Sequence, residues 1–154
     1  MSEALTIVGI DPGLVDTGFV VMQFVPDQVV RVTPMVFTGG KVDEVVDAAN
    51  KFRSGYVYIE AYRPRGNVYK QDKRMAELCS TLNQRIRRGK LIDNTGVKNV
   101  VSQRLMELFG VWDFSMKTHH QDLRSAARIA LYGALKDAEL NETLFDYAFS
   151  KAGI

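Results

Sequence analysis

The stretch from Thr6 to Gly18, TIVGIDPGLVDTG, limits what this chain can fold into more than any other. Thr6, Ile7, Val8 and Ile10 have the β-branched composition of a strand buried on both faces. An ionised, unpaired Asp11 at the end of such a strand costs on the order of several kcal/mol, so it requires hydrogen-bond donors, a cation or a metal. Pro12 fixes φ and Gly13 permits a left-handed turn, after which Thr17 and Gly18 restart an apolar strand, Phe19 to Met22. Gly9 shares a strand face with Asp11 and, without a Cβ, leaves room there for a ligand backbone or a metal-bound phosphate. A plainer alternative is a hairpin whose aspartate caps its own turn.

The other elements follow from periodicity and punctuation. Val29 to Phe37 reads as a third strand, broken at Pro34 and therefore at a sheet edge or bulge, which completes a meander. Val42 to Phe52 carries apolar residues at helical spacing, and Tyr56 to Glu60 returns as a strand. A right-handed crossover places that fourth strand beside the first, so that two apolar strands each end in a carboxylate, Asp11 and Glu60. Ala61 to Lys70 is a basic, aromatic loop and Gln71 to Arg88 a long helix. Leu91-Ile92 reads as a short last strand, Val97 to Phe109 as one amphipathic helix, and Asp122 to Leu135 as an Ala-rich helix. Asn141 is expected to cap a final helix.

Composition excludes several classes. The 154 residues suit one domain, and 46% hydrophobic with 25% charged residues is a globular balance. A single Cys79 rules out an intramolecular disulfide framework and a cysteine-rich zinc site, and is expected in the core. No apolar run approaches the length of a membrane span and the start lacks a basic signal region, so a cytoplasmic protein is expected. The net charge of +2 is unremarkable, but its distribution is not. Arg63, Arg65, Lys70, Lys73 and Arg74, then Arg85, Arg87, Arg88 and Lys90, gather in one region, while acids collect in 43–47 and 137–146. That asymmetry fits a phosphate-binding face, with a solvated helix face as the alternative.

A further acid lies in Thr118-His119-His120-Gln121-Asp122. His119 and Asp122 are three apart and share a face if the helix starts by His119. Ala126, Ile129, Ala130 and Gly133 continue that face with small residues, allowing close approach to a sheet, while Arg124 and Arg128 point elsewhere. Asp11, Glu60, His119 and Asp122 thus converge at one sheet edge. Carboxylates with open positions suit Mg²⁺ or Mn²⁺, and two such ions about 3.5–4 Å apart support phosphodiester hydrolysis. Taken singly, pairing with Arg63 or Arg65 explains Glu60 equally well, and a solvated helix start explains the two histidines.

The combination GIDPG, a Thr-Gly strand start, a strand ending Ile59-Glu60 and an Ala-rich helix entered through His-x-x-Asp resembles the RuvC-type Holliday junction resolvases of the RNase H-like superfamily, over about Thr6 to Leu135. The resemblance implies an α/β fold, with a five-stranded mixed sheet (an antiparallel meander, then parallel strands) flanked by helices. It also implies a homodimer and an Mg²⁺-dependent acidic site that makes paired nicks in four-way DNA junctions. Asp11 matches the family's first-strand aspartate and Glu60 its fourth-strand glutamate. In the last helix two registers fit, His119 with Asp122 or Asp122 with Ser125; the first is preferred because imidazole ligates metal and neutral serine does so poorly.

Where the family has a junction-stacking phenylalanine, this chain has Arg63, so Tyr62 or Tyr69 is the candidate stacking platform. Lys98 resembles a basic residue of the family's active-site rim. With Arg63, Arg65, Lys70 and Lys73 these residues form the expected DNA contacts. Small size and these departures suggest a phage-type member acting in the host cytoplasm. The alternatives are a flap or branch nuclease of the same superfamily, or a junction-binding protein without catalysis. The helix Gln71 to Arg88, through Ala76, Cys79 and Asn83, is the expected dimer seam.

Overall fold

The computed structural model describes residues 5–24, 31–39, 41–52, 55–62 and 70–153. Its centre is a five-stranded sheet of strands β1 (Leu5–Asp11), β2 (Asp16–Phe24), β3 (Arg31–Thr38), β4 (Tyr56–Glu60) and β5 (Gly89–Ile92), in the order β3-β2-β1-β4-β5. β1 to β3 form an antiparallel meander, and β4 and β5 add in parallel. This is the mixed α/β sheet expected. Pro34 lies in β3 opposite Val20, at the sheet edge, where a residue without an N–H leaves no ladder bond broken on its outer side.

Strand alternation sorts the core into two layers. Val8 and Ile10 of β1, with Val57 and Ile59 of β4, pack under helices α1 (Val42–Asn50) and α2 (Lys70–Arg85), through Val45, Val46, Ala49 and Leu82. Ile86, just beyond α2, joins the same layer. Ile7 and Tyr58 face the other way, into a layer completed by the short helices α3 (Val97–Val100) and α4 (Gln103–Leu108), then α5 (His120–Lys136) and α6 (Asn141–Ala152). Asp11 and Glu60 continue the alternation of Ile7-Gly9 and Tyr58, so both carboxylates belong to the α5 side.

Helix α5 reaches the sheet because three glycines give it seats. A methyl group at Gly9 would run into the Ala126 carbonyl, one at Gly18 into the Asp122 carbonyl, and one at Gly133 into the Tyr58 ring. Gly9 therefore admits a helix backbone, not the ligand expected there. The small-residue face of α5 is buried as expected: Ala126, Ile129 and Ala130 are at most 1% exposed.

Two helix boundaries differ from expectation. The segment 97–109 is not one helix: Val101 turns extended (φ −106°, ψ 88°) and Ser102 starts α4 by accepting the Leu105 N–H at 3.2 Å. The Val101 carbonyl released by this break accepts from Arg128 Nε at 3.1 Å, which compensates for it. Asn141 does not cap α6, because its N–H already bonds to the Asp137 carbonyl (2.9 Å) and it enters the helix as the first residue.

Candidate active site

The sheet register brings Asp11 and Glu60 together. β1 and β4 run parallel with Gly9 opposite Tyr58 and Ile10 opposite Ile59, so the next residue on the α5 side of each strand is a carboxylate. The antiparallel partner of Asp11 is Gly18, the residue on which the Asp122 backbone rests. The same seat therefore fixes the helix and carries Asp122 toward Asp11. Asp122 stands in the first turn of α5, where the helix dipole favours negative charge.

Asp11 is perturbed by its surroundings. Burial first, then a hydrogen bond with Glu60 and the charges of Glu60 and Asp122, push the Asp11 carboxyl up from 3.8 to about 9. The hydrogen bond between the two carboxyl groups favours the protonated form of Asp11. Glu60 Oε1 also accepts from Asn94 Nδ2 at 2.8 Å, and its backbone carbonyl from Cys79 Sγ at 3.6 Å. Among the described residues no lysine or arginine forms an ion pair with Asp11, Glu60 or Asp122. A half-buried group of carboxylates with no lysine or arginine partner among the described residues is a donor set that a divalent metal ion fits.

His119 closes a 3₁₀ turn, Lys117–His119, just before α5. Its Nδ1 is 3.6 Å from Asp122 Oδ2, so the His-x-x-Asp pair is adjacent although His119 precedes the α-helix proper. The same Nδ1 is 3.9 Å from Asp16 Oδ2. Asp16, His119 and Asp122 offer ligand atoms all within 4.8 Å of one another. His120 is occupied differently, its Nε2 lying against the Phe114 backbone (3.1 Å to N, 2.6 Å to O). Ser125, of the other register, lines a cleft of about 430 Å³ beside Glu60, with Asn94, Lys98 and Arg128.

The expected DNA-binding residues are less completely placed. Tyr62 is half-buried two residues after Glu60, Lys73 is exposed on α2, and Lys98 is exposed on the cleft rim. Lys70 is the first residue of α2. Arg63, Arg65 and Tyr69 lie outside the described residues. Arg124 does point elsewhere, its Nε donating to the Trp112 carbonyl (2.6 Å) with its guanidinium 3.8 Å above the Trp112 ring. Arg128 does not, since it lines the cleft. Sequence reasoning passed over Asp16, Asn94 and Arg128. Only Asp16 left a signal, as a second acid across a tight turn from Asp11.

Sheet order, mixed strand directions and flanking helices together define the RNase H-like class of α/β fold. Within it the fold is similar to that of RuvC. It superimposes on the solved structure of RuvC from Thermus thermophilus with a TM-score of 0.58 at 16% identity, covering 97% of each chain. It superimposes on T. thermophilus RuvC in complex with a Holliday junction substrate with a TM-score of 0.54 at 16% identity, covering 83% of this chain and 91% of that one. No family model and no curated protein matches the sequence. The likeness is one of fold.

Proposed function

We propose that this chain, as one nuclease domain, is a metal-dependent endonuclease that resolves four-way DNA junctions by paired nicks. The observation that carries the reading is the convergence of Asp11, Glu60 and Asp122 without a cationic partner among the described residues, at the edge of a RuvC-like sheet. Asp11, Glu60, His119 and Asp122 would hold Mg²⁺ or Mn²⁺, two ions per site. Bound there, such ions supply Lewis-acid stabilisation of phosphate charge and acidify water. The chain's own groups do the rest. Asn94 holds the Glu60 carboxylate in place, and Lys98 and Arg128 put positive charge along the cleft beside it, where a phosphodiester strand can lie.

Tyr62 or Tyr69 offers a stacking surface, and Arg63, Arg65, Lys70 and Lys73 continue the basic approach to the site. Two symmetric nicks need two sites related by a two-fold axis, hence a homodimer. Helix α2 supports a seam only in altered form: Cys79 is 4% exposed and belongs to its own protomer's core, whereas Ala76 is exposed. No helix among the described residues is long and apolar enough to cross a membrane.

The test is incubation with labelled four-way junction, flap, fork and linear duplex, in Mg²⁺ and then in EDTA. Symmetric paired cuts in the junction, abolished by EDTA, are expected. Preferential flap or fork cleavage would make the chain a branch nuclease instead, and binding without cleavage a junction-binding protein.

A further inference from the structure

We propose that Asp16 is a third protein ligand, with His119 and Asp122, for one of the divalent ions of this site. The inference rests on the metal-site reading above and extends its donor set by a residue on a separate loop.

The spacing is the first argument. His119 Nδ1 faces two carboxylates at once, Asp122 Oδ2 at 3.6 Å and Asp16 Oδ2 at 3.9 Å. Both separations are too long for hydrogen bonds, which lie near about 2.7–3.2 Å. They fall between the spacings of donors around an ion, since with bonds of about 2.0–2.2 Å neighbouring octahedral ligands lie about 3 Å apart and opposite ones about 4.2 Å, so a small adjustment of the side chains would close them on one. The side chains of Asp16, His119 and Asp122 are 28%, 29% and 36% exposed, which leaves room for water or phosphate to complete the shell.

The mounting of Asp16 is the second argument. Thr17 Oγ1 accepts the Gly13 N–H at 3.2 Å, and the Gly39 N–H reaches the Val15 carbonyl at 2.8 Å, so the turn is tied on both sides of Asp16. Asp16 itself opens β2, opposite Thr38 of β3. Its carboxylate therefore starts from a fixed backbone, the condition under which a ligand binds without ordering a loop first. Among the described residues its ion-pair contact is with His119, so no lysine or arginine there competes for it. Asp122 is common to both groups of acids, because its charge also acts on Asp11. With one imidazole among its donors, this position accepts Mn²⁺ as readily as Mg²⁺, which makes Mn²⁺ a suitable reporter.

Mn²⁺ uptake, read from loss of the free-ion paramagnetic resonance signal, tests the assignment without any nuclease assay. Asp16→Asn should weaken uptake about tenfold or more. Combined with His119→Ala it should add little to the His119→Ala loss, since both act on one ion. If Asp16→Asn binds Mn²⁺ within about twofold of wild type while Asp122→Asn loses about tenfold, Asp16 is not a ligand and the metal-site reading stands. If wild type takes up no Mn²⁺, or neither Asp122→Asn nor Glu60→Gln affects uptake, both readings fall. Circular dichroism checks folding. Anomalous scattering from wild-type crystals soaked in Mn²⁺ serves if the variant does not fold: a peak bonded to Asp16 supports the assignment, and one bonded only to His119 and Asp122 overturns it.

Discussion

The two ends of the acidic site are built on different terms. Asp11 and Glu60 come from adjacent parallel strands, are brought together by the register, and are hydrogen-bonded where burial raises the Asp11 carboxyl. Asp16 and His119 come from a tied turn and a 3₁₀ turn, and they stand nearer solvent. The buried end is positioned by the whole sheet and cannot move apart to relieve repulsion, so it responds by taking up a proton. The open end lies on local structure, a turn tied on both sides of Asp16 and a 3₁₀ turn, and keeps its charge nearer water. Charge placed by a sheet is accurate and costly; charge placed by turns nearer water is cheaper.

The sharpest way to break this contrast is to neutralise its members separately. Asp11→Asn, Glu60→Gln and Asp122→Asn should each lower junction cleavage about 10³-fold or more, as expected for the loss of several kcal/mol of metal-borne stabilisation, while binding is kept or improved. Single-turnover cleavage with gel-shift binding checks this; near wild-type cutting by all three would place the chemistry elsewhere. Next in size is Gly9→Ala, which pushes a methyl into the Ala126 carbonyl and should cost about 1–3 kcal/mol in urea unfolding.

The pH response should follow with a definite sign. The folded protein favours a proton on Asp11 that the unfolded chain releases above 3.8, so this group's contribution to metal-free stability is fully present below that pH and is lost as pH rises toward about 9. Thermal melts of the metal-free protein should show this decline, and Asp11→Asn should flatten it. A rise in stability across that window would contradict a raised Asp11 carboxyl. The smallest effect belongs to Asn94→Ala, which removes one hydrogen bond from Glu60 and should slow cleavage by about tenfold or less, with unchanged junction affinity.

What could be read from the sequence was whatever one element decides alone. The β-branched run in TIVGID marks a strand buried on both faces and YVYIE a second strand, and the acids ending them point to one place once the strands are neighbours. The small face of α5 likewise announced a close approach. What was not legible depends on a partner distant in sequence. Gly9 was read as space for a ligand because its true occupant, the Ala126 carbonyl, lies over a hundred positions away in the chain. The break at Val101 is invisible in an apolar pattern that continues across it, since Arg128 supplies the missing donor. Asn94 and Arg128 carry no motif; their places follow from β5 and α5 converging beside Glu60.

The seats at Gly9, Gly18 and Gly133 bear on how this scaffold tolerates change. Side-chain packing is compliant: a lost methylene is partly absorbed by its neighbours, and the error spreads. Helix α5 instead registers against the sheet backbone to backbone at Gly9, a stop with little travel. The separation of Asp122 from Asp11 is thus held by backbone contacts at Gly9 and Gly18, and exchanging Leu131 for another apolar residue is expected to shift it less than a methyl group at either glycine would. Sequence freedom in the core and fixed geometry at its edge are compatible here because the alignment is set by atoms that every residue has.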